Sequence, residues 1–120
     1  TQVIPYISKS KVAKDQQVLN SISTAAVTAY SENGATADMT IDVFGDVPTA
    51  DIEKQIQADI KSTSNFNDLN TFKKALTSDA GSKVKAVRVE FSASAHKAVT
   101  KVEYEGDDPT YKIKDVEATL

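Results

Sequence analysis

The chain has 120 residues, a formal net charge of −3 at pH 7, 40% hydrophobic residues and no cysteine. This length accommodates one hydrophobic core, so we predict a single domain over residues 1–120. The slightly acidic balance argues against a nucleic-acid partner, and the lack of cysteine excludes disulfides and thiolate metal ligands. The pattern divides the domain into a long helix (1–31), a variable αβ segment (32–82) and a β-meander (83–120).

The first segment is predicted to form one long helix. Its apolar residues recur mostly at intervals of three or four, which places them on one stripe, whereas Gln16, Gln17, Asn20 and Ser23 fall on other sides. Gly34 after Asn33 favours a helix end there. Because the periodicity begins almost at the first residue, we expect the helix to continue upstream of Thr1. The stripe consists of Ile7, Val12, Val18, Leu19, Ile22, Ala25, Ala26 and Ala29.

The αβ segment is predicted to contain a strand and two short helices. Met39, Ile41 and Val43 alternate with polar residues between Ala37 and Phe44, which is typical of a half-buried strand. A helix capped by Thr49 follows, and its inward face would carry Ile52, Ile56 and Ile60. A second helix is expected from an Asn67 or Asp68 cap to near Gly81, with Leu69, Phe72, Ala75 and Leu76 inward.

The last segment shows a period of two, which predicts strands around Val87–Phe91, Thr100–Tyr104 and Tyr111–Ile113. The connections at 92–97 and 105–109 are short, so neighbouring strands should be antiparallel. One face would be apolar and the other charged with both signs, and the apolar face needs a cover. We therefore predict an α+β fold, with a long N-terminal α-helix packed on a C-terminal antiparallel β-meander of three to four strands, and short helices in the αβ connection.

Residues that could carry catalysis are scarce. His96 is the only histidine, it lies in a predicted loop, and no nucleophile motif or phosphate-binding glycine loop accompanies it. We therefore expect no enzyme activity and no cofactor. Glu105, Asp107 and Asp108 surround Gly106 and could offer oxygen ligands to calcium, although a simple hairpin turn is the favoured interpretation.

Lys9, Lys11 and Lys14 form a basic patch on the predicted helix, beside Ser8 and Ser10. Such a patch can contact lipid headgroups, pair with acidic residues of another subunit, or simply solvate a helix that leaves the domain. Solvation is the default interpretation. A role at a membrane or a subunit interface is favoured if the helix continues upstream into an apolar segment.

The stretch Pro5–Ala26 resembles type IV pilins and pseudopilins, particularly Gram-positive clostridial members. In that family a Pro and a Tyr-Ile-x-Lys-Ser-Arg-like run are followed by an Asp and an Ala-rich amphipathic helix, and here Lys11 stands where Arg is common. The resemblance implies a pilin-like fold and an upstream segment with a cleavage site, a methylated N-terminal residue and an apolar half-helix. It covers the first quarter of the chain in detail and the remainder in architecture.

The resemblance implies a structural subunit of a type IV pilus, polymerising through its N-terminal helix into a surface filament for adhesion, motility or biofilm formation. Its partners would be other copies, other pilins and the pilus assembly machinery, with membrane anchoring only through the upstream segment. The alternatives are a pseudopilin of a type II secretion or DNA-uptake system and a secreted cystatin-like binding module. Expected subunit contacts are Tyr6, Ile7, Lys9, Lys11 and Lys14.

Overall fold

The computed structural model describes the backbone of residues 3–120 and the side chains from Ile7 onward, and its architecture is α+β. The helices are α1 (Val3–Glu32), α2 (Asp51–Ser64), α3 (Leu69–Lys74) and α4 (Asp79–Ser82). The strands are β1 (Met39–Asp42), β2 (Val84–Ser92), β3 (Lys97–Tyr104) and β4 (Val116–Thr119). They form one antiparallel sheet in the order β1-β2-β3-β4.

The long helix α1 confirms the prediction from the sequence. It ends where expected, because Gly34 adopts the left-handed conformation (φ 65°) that glycine reaches without a steric cost. The Ala35 backbone N–H then donates to the Tyr30 carbonyl at 3.0 Å, which satisfies one of the carbonyls left free at the helix end. The chain can therefore turn directly into β1.

The core lies between α1 and the apolar face of the sheet. Leu19, Ile22 and Ala26 on α1 are fully buried, as are Val87 and Val89 on β2. The predicted helix stripe is thus confirmed from Leu19 onward. Ser23, which was expected on another side, is also buried, because the small residues around it bring that flank of the helix inside the domain as well.

The outer face of the sheet carries the predicted charges of both signs. Arg88 pairs with Glu103 at 3.3 Å, and Lys101 pairs with Glu90 at 3.0 Å across the β2–β3 ladder. Hydrogen bonding to Glu90 raises the pKa of Lys101 above its usual value. These exposed pairs contribute little to stability, but they keep this face of the sheet solvated.

The prediction of a strand at Tyr111–Ile113 is wrong, because the fourth strand lies later, at Val116–Thr119. The backbone N–H of Ile113 donates to the Tyr104 hydroxyl at 2.9 Å. The next residue, Lys114, exchanges two hydrogen bonds with the Gln16 side chain. Because side chains form hydrogen bonds with these backbone groups, this stretch does not pair as a strand.

The start of α2 also differs from the prediction. Its N-cap residue is Ala50 and not Thr49, and no side chain caps it. Ile52 is 39% exposed instead of inward, because it lies in the first turn of α2, ahead of the part of the helix that is buried. Gln57, which follows Ile56, is buried and donates to the backbone carbonyl of Asp42 at 2.9 Å.

The second predicted helix of the αβ segment is split into α3 and α4. The Asp68 cap is confirmed, because its Oδ1 accepts a hydrogen bond from the Thr71 N–H at 2.8 Å. Ala75, expected inward, is exposed at the end of α3. The helix cannot run on to Gly81, since the backbone N–H groups between α3 and α4 turn towards α1.

Candidate functional site on the N-terminal helix

Helix α1 has two parts that differ in burial. Residues 7–14, which we call the neck, are mostly exposed, and Ile7 leaves 45% of its surface in solvent. Residues 15–32, the packed part, begin with Asp15, which is fully buried, and continue with the core residue Leu19. The helix thus enters the domain at Asp15, and the neck lies on its outside.

Asp15 fastens α1 to the loop that precedes α4. Its Oδ1 accepts hydrogen bonds from the backbone N–H of Thr77 at 2.7 Å and from the Thr77 hydroxyl at 3.2 Å. Its Oδ2 accepts from the Ser78 N–H at 2.9 Å and from the Ser78 hydroxyl. The Ser78 oxygen in turn accepts from the Gly81 N–H at 3.0 Å, which caps α4.

Hydrogen bonds alone hold the buried Asp15 carboxylate, since no ion pair formed within residues 7–120 includes it. Burying a charge is costly unless such partners surround it. Gly81 allows their close approach, because a Cβ there would lie 2.9 Å from Asp15 Oδ2 and 2.6 Å from Leu76 Cβ. The hydrogen-bond arrangement therefore depends on the Asp15 carboxylate and on the lack of a side chain at Gly81.

Gln16 fastens α1 to a second loop, the connection between β3 and β4. Its Nε2 donates to the Lys114 carbonyl at 2.7 Å, and its Oε1 accepts from the Lys114 N–H at 2.8 Å. These two hydrogen bonds resemble those between paired strands, and they fix both the position and the direction of the connection. Adjacent residues of α1 thus hold two separate loops at the point where the neck begins.

A cleft of about 260 Å³ lies between the neck, the start of α4 and the β3–β4 connection. Ser8, Lys11 and Val12 line it from the neck, and Asp79, Lys83 and Tyr111 line it from the other elements. The cleft is mainly polar, and its charged lining residues are Lys11, Asp79 and Lys83.

The neck presents the predicted contact residues to solvent. Lys9 is exposed, and its Nζ lies 5.8 Å from the centre of the Tyr111 ring, within the range of a cation–π interaction. Lys11 and Lys14 are exposed as well, and with Ile7 they give the neck a cationic and partly apolar surface. The predicted contact at Tyr6 lies outside the side chains that the structure describes.

The calcium candidates occupy the exposed start of the β3–β4 connection. Asp108 pairs with Lys112 at 2.5 Å, and this hydrogen bond raises the pKa of Lys112. Over the described part of the chain, no three histidine or acidic side chains converge as metal ligands. Glu105, Asp107 and Asp108 therefore lie together in sequence without enclosing a common position.

His96 is exposed in the tight connection between β2 and β3. It adopts φ 53°, a left-handed conformation that closes the hairpin, and histidine takes it more readily than most residues. Its N–H donates to the Ala93 carbonyl at 3.3 Å. The left-handed backbone of His96 thus helps to form the turn between β2 and β3.

Asp15 and Gln16 were not among the residues predicted to matter. The sequence indicates Asp15 only as the acid of the pilin-like run, and it places Gln16 away from the stripe. A signal for Asp15 was present, because it lies three residues after Val12 and four before Leu19, at a stripe position where an acid is unusual. No spacing indicated the partners of either residue.

None of the helices within residues 3–120 combines the length and the apolar character needed to cross a bilayer. Comparison with protein-family models, with curated proteins and with solved structures gives no match to this chain.

Proposed function

We propose that this chain is the head domain of a filament subunit of the type IV pilin kind, joined to neighbouring copies through α1. The observation that carries this proposal is the division of one continuous 30-residue helix into two parts. The packed part lies in the core of the domain, whereas the neck leaves it with exposed lysines and an exposed Ile7. The resemblance of Pro5–Ala26 to pilins adds support from the sequence.

The hydrogen bonds of Asp15 and Gln16 to the two loops suit a subunit that carries mechanical load. A pull along the neck reaches the sheet through the buried stripe and through the two loops that these residues hold. Helix α1 is continuous across this point, so no loop separates the neck from the domain. A rigid junction of this kind lets contacts along the neck set the orientation of the whole domain.

In this proposal α1 continues upstream of Thr1 into an apolar half-helix. Such a segment is stable in a bilayer. Once the segment leaves the bilayer, it must be buried against equivalent segments of other copies. Contacts of this heterologous kind do not close on themselves, so they produce a helical polymer at the cell surface. The charged outer face of the sheet would then be the solvated face, available for adhesion or motility.

The proposal is tested by labelling surface filaments sheared from the native host. Since the chain has no cysteine, a host expressing full-length protein with Ser94→Cys, an exposed site in the β2–β3 turn, can be labelled with maleimide–gold. We expect gold particles at regular intervals along filaments in electron micrographs. The matched control is Ile22→Cys, which is fully buried and should stay unlabelled.

Two results would overturn the filament assignment. One is recovery of the labelled Ser94→Cys protein only away from filaments, in cells or medium. The other comes from the precursor sequence, where we expect a short basic leader, a Gly cleavage site, and then Phe with an apolar run that contains Glu. An ordinary cleaved signal peptide there would contradict the proposal. Short stubs in place of long filaments would identify the pseudopilin alternative.

A further inference from the structure

Two eight-residue segments of this chain carry opposite charge. The neck, residues 7–14, contains three lysines and no acidic residue. Residues 46–53, which we call the acidic segment, contain Asp46, Asp51 and Glu53 and no basic residue. The neck belongs to α1, and the acidic segment comprises the loop before α2 and its first turn. The two segments therefore complement each other in sign and in amount.

The same two segments hold the large hydrophobic side chains that are exposed among the side chains from Ile7 onward. Among the side chains that the structure describes, three large hydrophobic residues are exposed: Ile7 at 45%, Val47 at 59% and Ile52 at 39%. Ile7 lies in the neck, and the other two lie in the acidic segment. A protein interface typically has an apolar centre and a polar rim, and an exposed apolar side chain flanked by charged residues suits this arrangement.

The charged side chains of both segments form no ion pair within residues 7–120. The four ion pairs found there involve the outer face of the sheet, β4 and the β3–β4 connection. Neither the neck lysines nor the carboxylates of the acidic segment take part in them. Both sets of charge are thus available to another molecule.

The start of the acidic segment is held in place from within the domain. The buried Gln57 donates hydrogen bonds to the Gly45 carbonyl at 3.3 Å and to the Asp46 carbonyl at 3.2 Å. A loop fixed in this way loses little conformational freedom when it binds a partner. The neck is preformed as well, because it is part of α1.

We propose that the neck of one copy docks on the acidic segment of the next copy. This inference rests on the proposed function, since it names the contact between neighbouring subunits. The neck lysines face Asp46, Asp51 and Glu53, and Ile7 is covered by Val47 and Ile52. Because the two surfaces differ, each copy keeps one of each free, and the contact extends into an open polymer.

Charge reversal in the full-length protein, expressed in its native host, tests the contact. One variant carries Lys9→Glu, Lys11→Glu and Lys14→Glu, and a second carries Asp46→Lys, Asp51→Lys and Glu53→Lys. We expect each to lower filament yield at least about tenfold, because like charges then oppose each other. Combining both sets restores opposite signs, and filaments should return. The matched control, Lys73→Glu with Lys74→Glu and Lys85→Glu, should keep the normal yield.

Cysteine crosslinking gives a second readout. In filaments carrying both Ile7→Cys and Val47→Cys, we expect oxidation to produce a ladder of disulfide-linked multimers that reduction removes. Filaments with Ile7→Cys and Ser94→Cys should remain monomeric on the same gel. A ladder in the first and not in the second supports the contact.

The outcomes separate this contact from the filament assignment. If filaments contain the chain but neither reversal lowers their yield, or the combined variant fails to recover, or no ladder forms, the contact is wrong and the assignment stands. If the unaltered protein is absent from filaments, both are overturned.

Discussion

At the residue scale, the most consequential position is Asp15. It is the point where α1 enters the core, and its carboxylate receives four hydrogen bonds from two residues that follow it by 62 and 63 positions. Buried donors that lose their acceptor cost free energy, because water cannot replace it. The loop before α4 is therefore stabilised by a side chain from a distant part of the chain.

We predict that Asp15→Ala lowers the free energy of unfolding by about 3 kcal/mol, since the backbone N–H groups of Thr77 and Ser78 lose their acceptor. Urea unfolding followed by circular dichroism measures this loss. Gln17→Ala, an exposed change on the same helix, should stay within about 0.5 kcal/mol of the unaltered protein. An equally small effect of Asp15→Ala would show that the carboxylate does not hold the loop.

Asp68 makes the stability of α3 depend on pH. The hydrogen bond from the Thr71 backbone N–H lowers the pKa of the Asp68 carboxyl below its usual value. Because the folded-state pKa is depressed, the stabilisation is complete above the unfolded value of about 3.9 and disappears as pH falls through the folded value. The contribution is therefore present at neutral pH and lost in acid.

We predict that the stability difference between the unaltered protein and Asp68→Ala is constant above about pH 5 and shrinks below about pH 4. Urea midpoints measured across this range test the prediction. Asn67→Ala, which removes no titratable group, should give a difference that does not follow this course. A difference for Asp68→Ala that grows in acid would contradict the assigned sign.

At the element scale, the β3–β4 connection keeps its position through Gln16. We predict that Gln16→Ala speeds hydrogen exchange of the Lys114 amide about fivefold, which corresponds to the loss of about 1 kcal/mol for one hydrogen bond. Exchange at the core amides of β2 should change much less. Gln17→Ala is the control, and unchanged protection of Lys114 in Gln16→Ala would show that another contact holds this connection.

Elements with a regular pattern could be predicted from the sequence. Helix α1 follows from its stripe and from Gly34, and strands β2 and β3 follow from the alternation around Val89 and Val102, because periodicity reports directly which face is buried. The α+β class and the charged outer face of the sheet follow from the same pattern. The exposure of the neck to solvent could be predicted from its three lysines.

The remaining features depend on distant partners that no local pattern encodes. Strand β4 was misplaced because Ile113 alternates like a strand residue, while its backbone is bound by the Tyr104 hydroxyl. The break between α3 and α4 depends on Asp15. Ile52, expected inward, is exposed and Gln57 is buried, because packing, and not spacing alone, decides which side of α2 faces inward.

At the scale of the whole molecule, the domain is elongated, with principal extents of 50 × 27 × 24 Å. The long helix explains this shape, since 30 residues of α-helix span about 45 Å. The neck carries positive charge, the acidic segment carries negative charge, and the outer sheet face carries both in pairs. Such a distribution suits a subunit with two different contact surfaces and one solvated face.

The most direct test of the central proposal is a helical reconstruction by cryo-electron microscopy of filaments taken from the native host. We predict that α1 faces the filament axis, that residues 7–14 lie between neighbouring copies, and that the charged face of β2 and β3 points to solvent. A reconstruction with the charged sheet face at the axis, or with the neck free in solvent, would contradict the proposal.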